Sequence, residues 1–176
     1  MEVLVHFLIV SFLFLIVVSL LVIFCSMMWA NITGAPYVAT RDVKLTTMLE
    51  LAKIKKDQKV VDLGSGDGKI VIAMAKIGAR AYGYEVNPFL VWWSRQKIKR
   101  SNLEGKAIIY WKDFFLDDLS DYQVVTLYGI GTMMTRLEKK LASELPVGAK
   151  IISNYFQFPN WKPSLEKDKV LVYFKK

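Results

Sequence analysis

A chain of 176 residues with a formal net charge of +8 is long enough to bury one core, and its single cysteine excludes an internal disulfide framework. All 24 Lys and Arg, but only 15 of the 16 Asp and Glu, lie beyond a front segment, Val3 to Ala30, that contains no charged residue, so the remainder carries +9. The basic residues are scattered rather than clustered and no RNA-binding signature accompanies them, which argues against nucleic acid as a partner and suits apposition to anionic lipid headgroups.

Residues 7–28 read as one transmembrane helix, because about 20 apolar residues cross a bilayer, and Trp29 follows as an interfacial anchor. A cleaved signal peptide would show a basic start and a small-residue cleavage site, and neither is found. Phe24 before Cys25 argues against a lipidated cysteine. No Lys or Arg precedes the span, whereas Arg41, Lys44, Lys53, Lys55 and Lys56 follow it. The positive-inside rule then makes the chain a single-pass membrane protein with its larger part on the cytoplasmic side, or the matrix side in a mitochondrion. Cys25 and His6 lie in or beside the span, so no metal site is expected. The expected domain plan is an anchor over 1–30, a segment over 31–47 that folds over the active site, and a ligand-binding domain over 48–176. Within the segment, Tyr37 and Val38 are odd in a spacer; they either cover the ligand or pack at the domain edge.

From Asp42 the apolar residues Leu45, Met48, Leu49 and Ala52 recur at helical spacing and predict a helix to about Lys55. A strand over 58–63 leads into Asp62-Leu63-Gly64-Ser65-Gly66-Asp67-Gly68 and a helix over 68–76. Glycines at 64, 66 and 68 permit a sharp bend and close approach of a ligand to the main chain. A Walker A loop requires Ser or Thr after Gly-Lys, but Ile70 follows Lys69; a dinucleotide fingerprint requires G-x-G-x-x-G, and the spacing here is G-x-G-x-G. Asp62 and Asp67 would repel a pyrophosphate and attract a cationic ligand. The turn resembles motif I of class I S-adenosylmethionine-dependent methyltransferases, though a plain βα turn would use the same glycines.

The next strand, over 79–84, ends at Glu85, where a carboxylate about 20 residues beyond the glycines is placed to hold a ribose diol. Asn87 and Pro88 then start a helix to about Arg100; its Trp92 and Trp93 read as core and interface packing. A third strand over 107–111 ends at Asp113 and Phe114, candidates for an adenine amino group and its ring, or a plain acidic turn. A fourth strand, 122–128, places Tyr128 and Gly129-Ile130-Gly131 beside the reacting centre, before a helix over 135–144. Strands over 150–154 and 170–174 complete a minimal sheet. Between them, Tyr155, Phe156, Phe158 and Trp161 form either a substrate wall or an edge cover.

The expected fold is therefore α/β, a Rossmann-like class I methyltransferase sheet in a minimal version, preceded by one transmembrane helix. With Pro36-Tyr37-Val38-Ala39-Thr40, the glycine turn and Phe156-Gln157-Phe158-Pro159-Asn160-Trp161 in place, the chain resembles the membrane-anchored class I lysine methyltransferases related to the mitochondrial enzymes that modify adenine nucleotide translocase and the c-subunit of ATP synthase. The resemblance implies S-adenosyl-L-methionine as cofactor, contacted at Asp62, Gly64, Gly66, Glu85 and Asp113; Ser65, Gly68, Asn87 and Phe114 complete the candidate set. It implies a lysine side chain of a membrane-associated protein as substrate. Tyr37, Tyr128 and Trp161 are the candidate catalytic residues, offering aromatic faces to a methylated ammonium. Tyr128-Gly129-Ile130-Gly131 matches no catalytic signature. Methylation of a lipid or quinone headgroup, and a cofactor-binding protein without turnover, remain alternatives.

Overall fold

The computed structural model describes residues 1–33, 42–129 and 131–176. The chain divides into two compact units, Met1–Pro36 and Tyr37–Lys176. In the first, Glu2–Thr33 is one α-helix, α1; within it Glu2–Cys25 is long and apolar enough to cross a membrane. Its apolar residues fall on all sides rather than on a single stripe.

In the second unit, α2 (Asp42–Ala52) precedes β1 (Lys59–Leu63), α3 (Lys69–Lys76), β2 (Arg80–Glu85), α4 (Pro88–Arg100), β3 (Ala107–Trp111), β4 (Val124–Leu127), α5 (Gly131–Glu144), β5 (Lys150–Asn154), β6 (Leu165–Lys167) and β7 (Val170–Phe174). The strands form one sheet in the order β3-β2-β1-β4-β5-β7-β6. β1 to β5 run parallel, whereas β7 pairs antiparallel with both β5 and β6. Central strands such as β1 and β4 are buried on both faces, which is why they read as mostly apolar runs without alternation.

Six strands were expected and seven are found. The missed strand, β6, is three exposed residues at the sheet edge, too short and polar to leave a periodic signal. Its turn into β7 uses Asp168 and Lys169, both at positive φ (52° and 59°), the conformation of a two-residue hairpin turn normally signalled by Gly or Asn. The turn is tied to α2, where Thr47 Oγ1 donates to Asp168 Oδ2 at 3.2 Å. The sheet is thus complete in strand number; what is reduced is the β5–β6 connection, which contains no helix.

Two apolar clusters cover the two faces. On one, α2, α3 and α4 pack Met48, Val71, Met74 and Val91 against Val60, Ala81, Val124 and Ile152. On the other, α5 supplies Met134, Leu137 and Leu141, and the β5–β6 connection supplies Phe158, with Phe156 and Trp161 partly buried. The dense aromatics of that connection therefore do a helix's work, covering a face that α5 alone leaves open. Asn160 fixes the connection to α5 by donating from its backbone N and from Nδ2 to the buried Glu138 carboxylate.

The sheet and the glycine turn approach closely at Gly83 in β2. A Cβ there would lie 2.6 Å from Ser65 Oγ and 2.7 Å from Ile109 Cδ1. Gly83→Ala is therefore expected to destabilise the fold by about 1–3 kcal/mol through overpacking. In a thermal melt of the detergent-solubilised chain, Tm should fall by about 2–4 °C per kcal/mol.

Candidate active site

The strand registers set the carboxyl ends of the parallel strands level. Leu63 pairs with Tyr84 and Leu127, Glu85 with Trp111, and Leu127 with Ser153. Gly64, Glu85, Trp111, Tyr128 and Asn154 consequently line one edge of the sheet. Strand order reverses between β1 and β4, the place where open parallel sheets bind ligands.

The glycine turn is held by backbone and by one carboxylate. Gly64 N and Ser65 N both donate to Tyr84 O, at 3.0 and 2.8 Å, and Gly68 N donates to Ser65 O at 2.9 Å. Gly64, Gly66 and Gly68 stand at φ of 78°, 53° and 76°, a region that side chains disfavour. Glu85, almost fully buried, accepts from Gly66 N through Oε2 at 2.9 Å, and from Val86 N and Asn87 N through Oε1 at 2.9 and 2.8 Å. The carboxylate expected to hold a ribose diol thus also clamps the backbone of the turn. Three of about four lone-pair positions are filled, so Oε2 keeps one for a ligand hydroxyl.

The glycines divide the labour. Gly64 faces open space, with nothing within 4 Å of a Cβ position, and leaves room for a ligand against the main chain. At Gly68 a Cβ would lie 2.8 Å from Ser94 Cβ, so this glycine admits α4 rather than a ligand. Ser65 Oγ is buried against Gly83 and has no hydrogen-bond partner among the described residues.

The two aspartates of the turn differ from their expected role as paired negative charges. Asp67 is engaged by Lys97, whose Nζ lies 2.6 Å from Oδ2 and 3.1 Å from the Asp67 carbonyl. Asp62 is buried and accepts from Thr126 Oγ1 at 2.7 Å. Burial pushes its carboxyl up to about 7; the charges of Glu85 and Asp67 reinforce the shift, and the Thr126 hydrogen bond opposes it. Thr126 and Lys97 escaped the sequence reading because each acts across 30 or more positions of chain.

Of the remaining candidates, Asn87 caps α4, with Oδ1 accepting from Phe89 N and Leu90 N, and Asp113 caps a single 3₁₀ turn, with Oδ1 accepting from Phe115 N at 2.9 Å. Phe114 is buried, its ring centroid 4.5 Å from that of Phe115. Trp111, not anticipated, donates from Nε1 to Val86 O at 3.0 Å and ties the tips of β2 and β3 together. Tyr128 lies at the tip of β4 with its ring 6.1 Å from Phe156. Asn154, also not anticipated, is buried at the neighbouring strand tip. Trp161 packs edge-on against Phe158 at 5.4 Å and lies 6.4 Å from Tyr173, whose partner in β5 is Ile151, three positions before the Asn154 tip. Trp161 thus packs on the sheet face through Phe158 and Tyr173, in line with the covering role that the sequence left open beside a substrate wall. Tyr37 lies outside the described residues.

With this geometry in place, residues 62–165, from Asp62 through the glycine turn, Glu85, Asp113, Tyr128 and Trp161, match the ANTKMT methyltransferase domain. The chain belongs to this family. It is 41% identical over 128 residues to the Homo sapiens lysine N-methyltransferase named for the ATP synthase c-subunit, covering 73% of this chain and 54% of that protein. The chain thus spans about half the length of such relatives. It is 35% identical to a protein-lysine N-methyltransferase of Saccharolobus islandicus, covering 73% of this chain and 81% of that one. Among solved structures, an RNA methyltransferase from Salinibacter ruber in complex with S-adenosyl-L-homocysteine aligns with a TM-score of 0.73 and 33% identity, covering 78% of this chain and 92% of that one.

Two outcomes follow for this site. Because a carboxamide presents an N–H₂ where Glu85 has a second acceptor, Glu85→Gln should cost about 1.5–3 kcal/mol locally. Hydrogen exchange at the Gly66 and Asn87 amides should accelerate by about ten- to a hundredfold. For Asp62, an acid whose folded pKa is raised, stability is greatest below the unfolded value of 3.8 and is lost as pH rises to about 7. Asp62→Asn, which keeps an acceptor for Thr126, should therefore match the parent near pH 4 and exceed it by a few kcal/mol at pH 8. Urea titrations of the ligand-free chain at both pH values would check this.

Proposed function

We propose that this chain is an S-adenosylmethionine-dependent protein-lysine N-methyltransferase acting on membrane or membrane-proximal proteins. The observation that carries the reading is the family match over residues 62–165, which contains the Glu85-clamped glycine turn and relates the chain to proteins named as lysine N-methyltransferases. An open cradle over Gly64, a spare acceptor position on Glu85 and the Asp113–Phe114 turn fit the ammonium, ribose and adenine parts of the cofactor respectively.

When bound, S-adenosylmethionine supplies a methyl group on a sulfonium; the amine's lone pair forms the N–C bond as the C–S bond breaks, and the departing pair stays on sulfur. The residues of this chain then have four tasks. Glu85 holds the turn in its binding conformation before any ligand arrives, so little ordering cost is paid on association. Asp62, whose carboxyl burial pushes up to about 7, gives up its proton to water as a cationic group approaches the turn. Tyr128 offers an aromatic face to the amine and to the methylammonium product. Asn154, beside it, offers a carbonyl oxygen to orient the amine, whose proton passes to water. Trp161 acts at a distance by fixing the β5–β6 connection on which Phe156 supports Tyr128. Tyr37 is retained as a substrate-side residue of the segment before α2. We place α1 across a membrane, with the larger unit on its positively charged side.

One observation favours a second reading, since the Salinibacter ruber relative is named for RNA. Incubating a membrane extract with the full chain and radiolabelled S-adenosylmethionine, then separating protein, RNA and organic-soluble lipid, distinguishes the substrates. Label recovered as methyl-lysine after protein hydrolysis is the expected result; label confined to RNA or to lipid would replace the lysine reading. With the substrate in hand, Tyr128→Ala should lower kcat by about tenfold, the loss of one cation–π contact, while leaving cofactor affinity unchanged in a calorimetric titration.

A further inference from the structure

We propose that a basic-rimmed pocket among α2, α3 and α4, with the aromatic row beside it on α4, docks the second unit onto the anionic headgroups of a phospholipid bilayer. Docking of this kind is distinct from the reaction, although the pocket adjoins the glycine turn through the Lys97–Asp67 ion pair.

The pocket, about 360 Å³, has Lys69, Lys76, Lys97 and Arg100 at its rim and Leu45 and Ile72 among its apolar lining. Among the described residues, two carboxylates form ion pairs with these four cations. Asp42 lies 2.8 Å from Lys69 and Asp67 lies 2.6 Å from Lys97. The rim therefore keeps a net charge of two, enough to attract phosphodiester headgroups. The combination of cationic rim and apolar lining suits a phosphate carried on a glycerol and acyl chain better than a phosphate alone.

The rim continues into exposed aromatics. The Arg100 guanidinium lies 5.9 Å from the Trp93 ring, Trp93 is 6.1 Å from Trp92, and Trp92 is 6.0 Å from Phe89. These three rings are 37%, 54% and 45% exposed. Their positions, 89, 92, 93 and then 100, fall on one side of α4, so the row is a helix face left without cover. The sequence had assigned Trp92 and Trp93 to packing; in the structure they face outward. Tryptophan flanked by Arg and Lys is the composition that settles at the headgroup layer, with the ring in the apolar boundary and the cation at phosphate. A bilayer surface presents both chemistries at once, and the same chain carries a helix apolar enough to enter one.

The test uses the full chain in nanodiscs of phosphatidylcholine with and without phosphatidylserine. In a Cys25→Ser background, spin labels are placed at Trp92→Cys and, separately, at the exposed control position Val147→Cys. Electron paramagnetic resonance then compares collision with lipid-soluble oxygen and with a water-soluble nickel chelate. The label at 92 should become lipid-accessible only in phosphatidylserine discs, while the label at 147 stays in water. Lys76→Glu with Arg100→Glu should lower the docking equilibrium by well over roughly twenty-fivefold, because loss of each basic residue alone contributes about fivefold and the new charges repel the headgroups. Lys76→Gln with Arg100→Gln, the milder pair, should fall between. A label at 92 that stays water-accessible in phosphatidylserine discs, immersion that ignores lipid charge or both substitutions, or displacement of the unit from the discs by a short RNA would overturn the proposal.

Discussion

The buried carboxylate of Glu85 is the constraint on which the binding edge depends. A single side chain at the tip of β2 accepts from Gly66 N on one side and from Val86 N and Asn87 N on the other, binding the glycine turn to the start of α4. Charge-assisted hydrogen bonds of this kind are each worth about 1.5–3 kcal/mol, well above neutral ones. The carboxylate therefore does two jobs. It satisfies donors that a sharp turn would otherwise leave unpaired, and one acceptor position on Oε2 stays unfilled. Under the proposed function, preorganisation of the turn and recognition of the ligand are the same interaction.

Around that clamp, each element limits what its neighbours can be. Gly68 lacks a Cβ because Ser94 of α4 occupies the space, and Gly83 lacks one because Ser65 does. Lys97 on α4 reaches back to Asp67, so the turn is gripped from β2 and from α4 together. On the opposite face, α5 and the aromatic β5–β6 connection complete the core without another helix. A short chain thereby supports a full seven-stranded sheet, and the strand tips at the β1–β4 reversal stay clear for ligands.

Much of this was legible in the sequence where the signal is local. β3, β5, β7 and α4 have the bounds that apolar runs and the Asn87–Pro88 start predicted, and Gly64 has the open space at the main chain that its place in the turn suggested. Features that depend on contacts distant in sequence were not legible. Nothing near Asp62 in the chain announces Thr126, and nothing near Asp67 announces Lys97. Aromatic density alone could not show which surface Trp161 packs on; its place beside Tyr173, which pairs with Ile151, puts it against the sheet. β6 was invisible because an exposed edge strand needs no apolar alternation.

The most direct measurement is a hydrogen-exchange difference map of the purified full chain with and without S-adenosyl-L-homocysteine. New protection is expected at the strand tips, in the Gly64 to Gly66 turn, at Val86 and Asn87, and through Asp113 to Phe115, with α2 and the distal part of α4 unchanged. Protection confined to other parts of the fold, or none at ligand concentrations that saturate a related methyltransferase, would contradict a cofactor site built on the Glu85 clamp.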